Sequence, residues 1–155
     1  MKGTGAGSLL LAALLLPLAC GSRAQIPPQK AADDLGGTSW RLVKFQGGDD
    51  KILTPDDRAK YTVAFATDGG VRVRLDCNRG RGTWTSSGRN QLELGPLALT
   101  LAICPPESLH DHIAKRWGFV RSYTIKDGHL FLSLMADGGI YEFEPIGGSK
   151  PAAPK

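Results

Sequence analysis

Apolar and polar residues alternate with period two through most of residues 38–146. In "SWRLVKF" Trp40 and Leu42 fall on one face, Arg41 and Val43 on the other. "YTVAF" groups Tyr61, Val63 and Phe65. "VRVRLDC" is the most regular, with Val71, Val73, Leu75 and Cys77 opposed to Arg72, Arg74 and Asp76. "LEL" at Leu92, "LALTLAI" at Leu97, "YTI" at Tyr123, "LFLSL" at Leu130 and "IYEF" at Ile140 continue the pattern. Such alternation predicts half-buried antiparallel strands with one face on a core. Turn residues punctuate the runs: "DGG" at Asp68, "SSGRN" at Ser86, "KDG" at Lys126 and "ADGG" at Ala136. Asp-Gly accepts positive φ, so "TDGG" and "KDGH" predict tight hairpins.

One segment follows the other period. "PPESLHDHIAKRWGFV" opens on two prolines that end the preceding strand. Ser108 and Asp111 stand at capping-box spacing, Leu109, Ile113, Trp117 and Val120 recur at helical intervals, and Gly118 supplies a stop. This predicts a helix laid over an open end or face of the sheet. The expectation is a mainly β fold, a small antiparallel barrel of about eight strands with one α-helix packed against it. The 20 Gly, 10 Pro and 22% charged residues in a chain of 155 agree with a single turn-rich domain.

The ends read differently. Residues 1–24 carry one early charge, Lys2, and an apolar block from Leu9 to Leu18. That block is short of the roughly 20 residues a membrane span needs, and it fits a secretory signal peptide. Cleavage after Ala24 gives a soluble chain; the alternative is lipid attachment at Cys20, giving an outer-membrane lipoprotein. Residues 25–37 read as a flexible linker, 38–146 as the domain, and 147–155 as a disordered tail. The expected location is outside the cytoplasm, periplasmic or secreted. Removing Lys2 and Arg23 with the leader leaves 17 basic against 15 acidic residues, net +2. The basic residues are spread among acids with no basic run, which argues against nucleic acid as a partner.

"DCNRGRGTW", from Asp76 to Trp84, invites several chemistries. A nucleophilic thiol at Cys77 needs a base and an orienting group, and His110, His112 and His129 form no motif with it. Metal spacing of the CxxC or HxxxH type is missing, and His110 and His112 diverge by about 200° on a helix, so both read as solvent-facing. Two cysteines in an exported domain, Cys77 and Cys104, read as a disulfide worth about 3–4 kcal/mol. On that reading Asn78, Gly80 and Gly82 are turn residues of a stapled loop or bulge. Arg79 and Arg81 project from it beside backbone N–H groups that offer an anion nest. Trp40 and Trp84 either line an adjacent apolar surface or pack in the core.

"LGGTSWRLV" at Leu35, "DCNRGRGTW", "TLAIC" at Thr100 and a closing "YEFEP" together resemble the META domain family, also called HslJ-like, over residues 35–145. The family usually has Gly where Asp76 stands, Tyr at Trp84, and Arg and Met at Leu101 and Ala102. The resemblance implies a small antiparallel barrel with one helix, export, and a role in envelope stress tolerance without an established enzymatic activity. Asn78, Arg79, Gly82, Trp84 and Thr100 are then the candidate binding residues. No catalytic residue, metal ligand or cofactor is expected, and the membrane is expected only through an anchor at Cys20. The partner is an envelope component or a small ligand, with an inhibitor or chaperone-like barrel as the alternative. An uncharacterised enzyme drawing on Asp56, Asp57, Glu93, Asp111 or Glu142 is the weaker one.

Overall fold

A computed structural model describes residues 35–147, with Gly3 apart. The expected leader, Cys20, most of the linker and most of the tail lie outside the described residues. The last linker residues, Leu35–Gly37, form a turn against the domain: Leu35 is fully buried and the Gly37 N–H donates to the Phe65 carbonyl at 2.7 Å.

Ten strands form one sheet: β1 Thr38–Gln46, β2 Ile52–Leu53, β3 Tyr61–Phe65, β4 Gly70–Leu75, β5 Asn78–Thr85, β6 Glu93–Leu94, β7 Ala98–Leu99, β8 Val120–Lys126, β9 His129–Leu134 and β10 Ile140–Pro145. Eight follow one another in the order β6-β5-β4-β3-β1-β10-β9-β8; β2 pairs with β1, and β7 pairs with β5. The path nearly closes on itself. The Leu92 N–H donates to the Arg121 carbonyl at 3.0 Å, and the Tyr123 N–H donates to the Asn90 carbonyl at 2.9 Å. The Asn90 amide adds a second bond to Tyr123, at 2.9 Å. This joins the approach to β6 with β8 and makes the expected small antiparallel barrel.

The inward positions are those the alternation picks out: Trp40 and Leu42, Tyr61, Val63 and Phe65, Val71, Val73 and Leu75, Leu130 and Leu132, and Tyr141 and Phe143 are all buried. Strict alternation fails at two bulges: one between Val120 and Ser122 in β8, which buries both Val120 and Tyr123, and one in β1. After Trp40 and Leu42 it would bury Lys44 and expose Phe45. A register shift between Leu42 and Lys44 against β10 re-phases the strand, so that Phe45 turns inward. Such a bulge adds one residue, bends the strand and raises its twist, which barrel closure requires. The Asp127–Gly128 hairpin matches expectation, with φ of 52° and 81°.

The helix α1, His110–Arg116, runs into a short 3-10 turn, Trp117–Phe119. Ser108 accepts the His110 N–H at 3.1 Å, but Asp111 does not reach back to complete a capping box. It bonds instead to His110 and Lys115. Ile113 and Trp117 are buried over the barrel, with Leu109 packed beside them. Three bonds pin the helix down: the Leu109 N–H to the Tyr61 hydroxyl (3.0 Å), the Trp117 indole to the Gly95 carbonyl (3.0 Å), and Tyr141 with the His112 ring (3.2 Å). His112 also lies edge-on to Phe45, centroids 4.4 Å apart. His110 and His112 are therefore packed residues rather than solvent-facing ones. Alternate helix faces do not guarantee exposure where a helix plugs the end of a barrel.

Candidate functional site

The stretch "DCNRGRGTW" is not a loop. The turn is only Asp76–Cys77, between the paired Leu75 and Asn78, and Asn78 to Trp84 belong to β5. Asp76 sits at φ 57°, a left-handed conformation that Asp accepts more readily than most residues. Asn78, Gly80 and Gly82 are thus strand residues, correcting the reading of them as turn chemistry. A Cβ on Gly80 would lie 2.5 Å from Leu99 Cδ2, and one on Gly82 2.9 Å from the Pro96 carbonyl. These glycines are there to let the neighbouring strand approach closely.

Asn78 is fully buried and acts as a clamp. Its carbonyl oxygen accepts from the Thr100 hydroxyl and the Ala102 N–H, both at 2.8 Å. Its amide donates to the Ala102 carbonyl at 2.9 Å. The Thr100 hydroxyl in turn accepts the Arg79 N–H at 3.0 Å. The side chain thereby replaces a missing stretch of backbone ladder and extends β7 through residues 100–102. The disulfide Cys77–Cys104, Cα atoms 5.6 Å apart, closes the far end of the same segment. Thiol catalysis by Cys77 is excluded while the bridge stands.

Both tryptophans considered for a surface are in the core. Trp40 is buried and donates to Thr38 Oγ1 at 2.7 Å. Trp84 is buried edge-on to Phe65 and donates to the Ala66 carbonyl at 3.0 Å. Of the candidate binding set, Asn78, Gly82 and Trp84 hold the fold together and Thr100 is part of the clamp. Arg79 alone points an available charge outward.

It does so in company that the linear sequence does not reveal. In the β4–β5 register Arg72 stands directly opposite Arg81, and Arg74 opposite Arg79. Like charges so placed repel. Arg74 is tied to the carbonyls of Asp76 (3.2 Å) and Ala59 (3.4 Å). Among the described residues, Arg72, Arg79 and Arg81 have no carboxylate within ion-pair reach. They frame an open hollow of about 460 Å³ that also includes Val73, Gly80, Ala98, Leu99 and Thr100. The two-residue strand period turns Val73 and Leu99 away from the face that carries Arg72, Arg81 and Ala98.

The carboxylates considered for catalysis are scattered. Asp56 pairs with Lys60 at 2.7 Å, and that bond holds its carboxyl below the usual range. Asp57 caps a 3-10 turn through the Ala59 N–H. Glu142 bonds His129 at 2.8 Å and Lys44 at 3.4 Å, and Asp111 bonds Lys115 at 3.1 Å. Glu93 is exposed on β6, paired across the ladder with Thr85. No group of three or more His, Cys, Asp or Glu among the described residues is arranged to hold a metal ion.

The fold has relatives among solved structures. The NMR structure of a protein from Burkholderia xenovorans superposes with a TM-score of 0.63 at 19% identity, covering 85% of this chain and 99% of the other. The crystal structure of a DUF4847 family protein from Bacteroides vulgatus superposes with a TM-score of 0.53 at 14% identity, covering 72% and 94%. At these identities the likeness concerns the fold alone. None of the curated proteins matches the chain. The META domain model matches residues 33–145, the clamp, the disulfide and the closing strand included, and the chain belongs to the META domain family.

Proposed function

We propose that this is a non-enzymatic module of the cell envelope that acts through its outer surface, engaging an envelope component and supporting stress tolerance. The observation that carries this reading is the occupied interior. Trp40, Tyr61, Phe65, Trp84 and Tyr123 fill it together with the aliphatic side chains of six strands and the helix, all buried. A small barrel packed this way is a scaffold rather than a container. The separate structural engagements of the carboxylates favour binding over acid–base chemistry. The apolar leader of the sequence supports export.

Cell fractionation with intact-mass analysis, joined to deletion of the gene, tests the reading. The expected product starts at Gln25, or at an acylated Cys20, and is found in the envelope fraction. The deletion strain is expected to lose viability under heat or detergent challenge and to regain it with the wild-type gene. Full-length protein in the cytosol, or a deletion strain indistinguishable from its parent under every envelope challenge, would overturn it.

A further inference from the structure

We propose that the hollow framed by Arg72, Arg79 and Arg81, with the exposed Leu101 and Ile103 on the segment that follows β7, is a docking site for an anionic lipid bilayer. Three observations converge. The first is electrostatic. Two pairs of arginines face each other across β4 and β5, and three of the four guanidiniums have no internal counter-charge among the described residues. The arrangement opposes folding and is relieved when phosphate oxygens enter between the arginines, which bind them with two parallel N–H donors.

The second observation is apolar. The segment whose Ala98, Leu99 and Thr100 line the hollow continues to Leu101 and Ile103, which are 95% and 100% exposed. At about 3.3 Å per residue they stand within roughly 10 Å of Thr100. Two fully exposed branched aliphatic side chains beside a cationic hollow match a bilayer, with phosphates at its surface and acyl chains just beneath. A nucleic acid or a free anion uses the charge and leaves Leu101 and Ile103 in water. The residues that line the hollow also include no aromatic ring for stacking a base.

The third observation is rigidity. The Asn78 clamp and the Cys77–Cys104 bridge hold residues 100–104 at both ends. The apolar pair is therefore presented on an ordered segment, which reduces the entropy lost on docking. Any acyl anchor at Cys20 would be indifferent to headgroup charge, whereas this face is not.

Co-sedimentation of the oxidised full chain with vesicles tests the site, using a Cys20→Ser background to remove any acyl anchor. Phosphatidylcholine vesicles with and without phosphatidylglycerol are compared. Binding is expected to prefer the anionic vesicles and to weaken with salt. At about fivefold per arginine, the triple variant Arg72→Gln/Arg79→Gln/Arg81→Gln is expected to lose roughly 100-fold on anionic vesicles. The charge-matched control Arg89→Gln/Lys115→Gln/Lys126→Gln is expected to retain most binding. Leu101→Ser/Ile103→Ser is expected to cost about tenfold. Thermal melts confirm that each variant folds. Equal binding to neutral and anionic vesicles, or equal losses in the triple variant and its control, would overturn the proposal. So would saturable binding of inorganic phosphate without vesicle binding, or of an oligonucleotide in preference to vesicles. Because the readout is vesicle binding and not location, its failure is distinguishable from failure of the envelope role.

Discussion

Asn78 does the work of a length of backbone. A buried amide that satisfies Thr100 and both backbone groups of Ala102 cannot be removed without leaving polar groups unpaired in the interior. Asn78→Ala is expected to destabilise the domain by about 2–4 kcal/mol, read as a lowered urea midpoint. Gly80 and Gly82 offer a second contrast. The nearest obstacle to a Cβ at Gly80 is the tip of Leu99, which can rotate; at Gly82 it is the Pro96 carbonyl, fixed in the backbone. Gly82→Ala is therefore expected to cost about 1–3 kcal/mol, and more than Gly80→Ala, in paired denaturation curves. The reverse order would mean that the segment around Pro96 yields more easily than a packed leucine. Asp76 takes a backbone conformation that glycine suits best: φ is 57°, and Asp is among the residues that tolerate it.

The helix α1 is short, and three hydrogen bonds to the barrel rather than its own propensity set its place. Its inner histidine carries a pH consequence. Burial is the main cause that lowers the His112 pKa to about 4, helped by the charges of Arg116 and Lys51; the rings of Phe45 and Tyr141 pack against it. The same burial pushes the Tyr141 hydroxyl above its usual range, so it stays protonated and able to donate. In the unfolded chain His112 takes up its proton near pH 6.5, while the folded chain resists until about pH 4. The unfolded state thus binds more protons across that window. Stability is full above pH 6.5 and falls as the pH drops toward 4. One proton sets a ceiling of about 1.4 kcal/mol per pH unit, lowered by partial exposure to solvent. Melting temperatures between pH 7 and pH 4.5 are expected to fall in the wild type and to fall less in His112→Gln. Parallel slopes would remove His112 from the account.

Closure of the barrel depends on contacts far apart in sequence, and the Cys77–Cys104 bridge acts at that level. It joins the β4–β5 hairpin to the chain 27 residues on, after β6 and β7 have passed alongside β5. Reducing it releases a loop whose closure is worth about 3–4 kcal/mol in the chain-entropy model. The Asn78 clamp holds the same segment by other means, so the reduced domain is expected to stay folded at neutral pH with a lower midpoint. Urea titrations with and without reductant, and of Cys77→Ser/Cys104→Ser, check this. An unchanged midpoint would show that the clamp alone orders residues 100–104. The β4–β5 hairpin itself is local: across the Asp76–Cys77 turn it gathers Arg72, Arg74, Arg79 and Arg81 into one patch, and the arrival of β7 at β5 walls that patch.

Period-two alternation in "YTVAF", "VRVRL" and "LFLSL" was enough to identify strands, their buried faces and the hairpins between them, because each residue's side is decided by its neighbours two positions away. The helix from "SLHDHIAKRW" and the disulfide partners were legible for the same reason: few cysteines and one change of period leave few choices. Nothing local could show that the β1 bulge turns Phe45 inward, or that His112 packs on Phe45 and Tyr141. The roles of Asn78, Gly80 and Gly82 were equally hidden. Asn and Gly are turn residues by propensity, and only the arrival of residues 96–102 alongside β5 makes them a clamp and a clearance. Strand and helix identity follow from short-range pattern, whereas register, bulges and surface patches are set by which distant strands pair. That pairing is a property of the closed barrel: the β4–β5 hairpin sets Arg72, Arg79 and Arg81 side by side locally, but only the arrival of residues 98–100 alongside β5 makes a hollow of them.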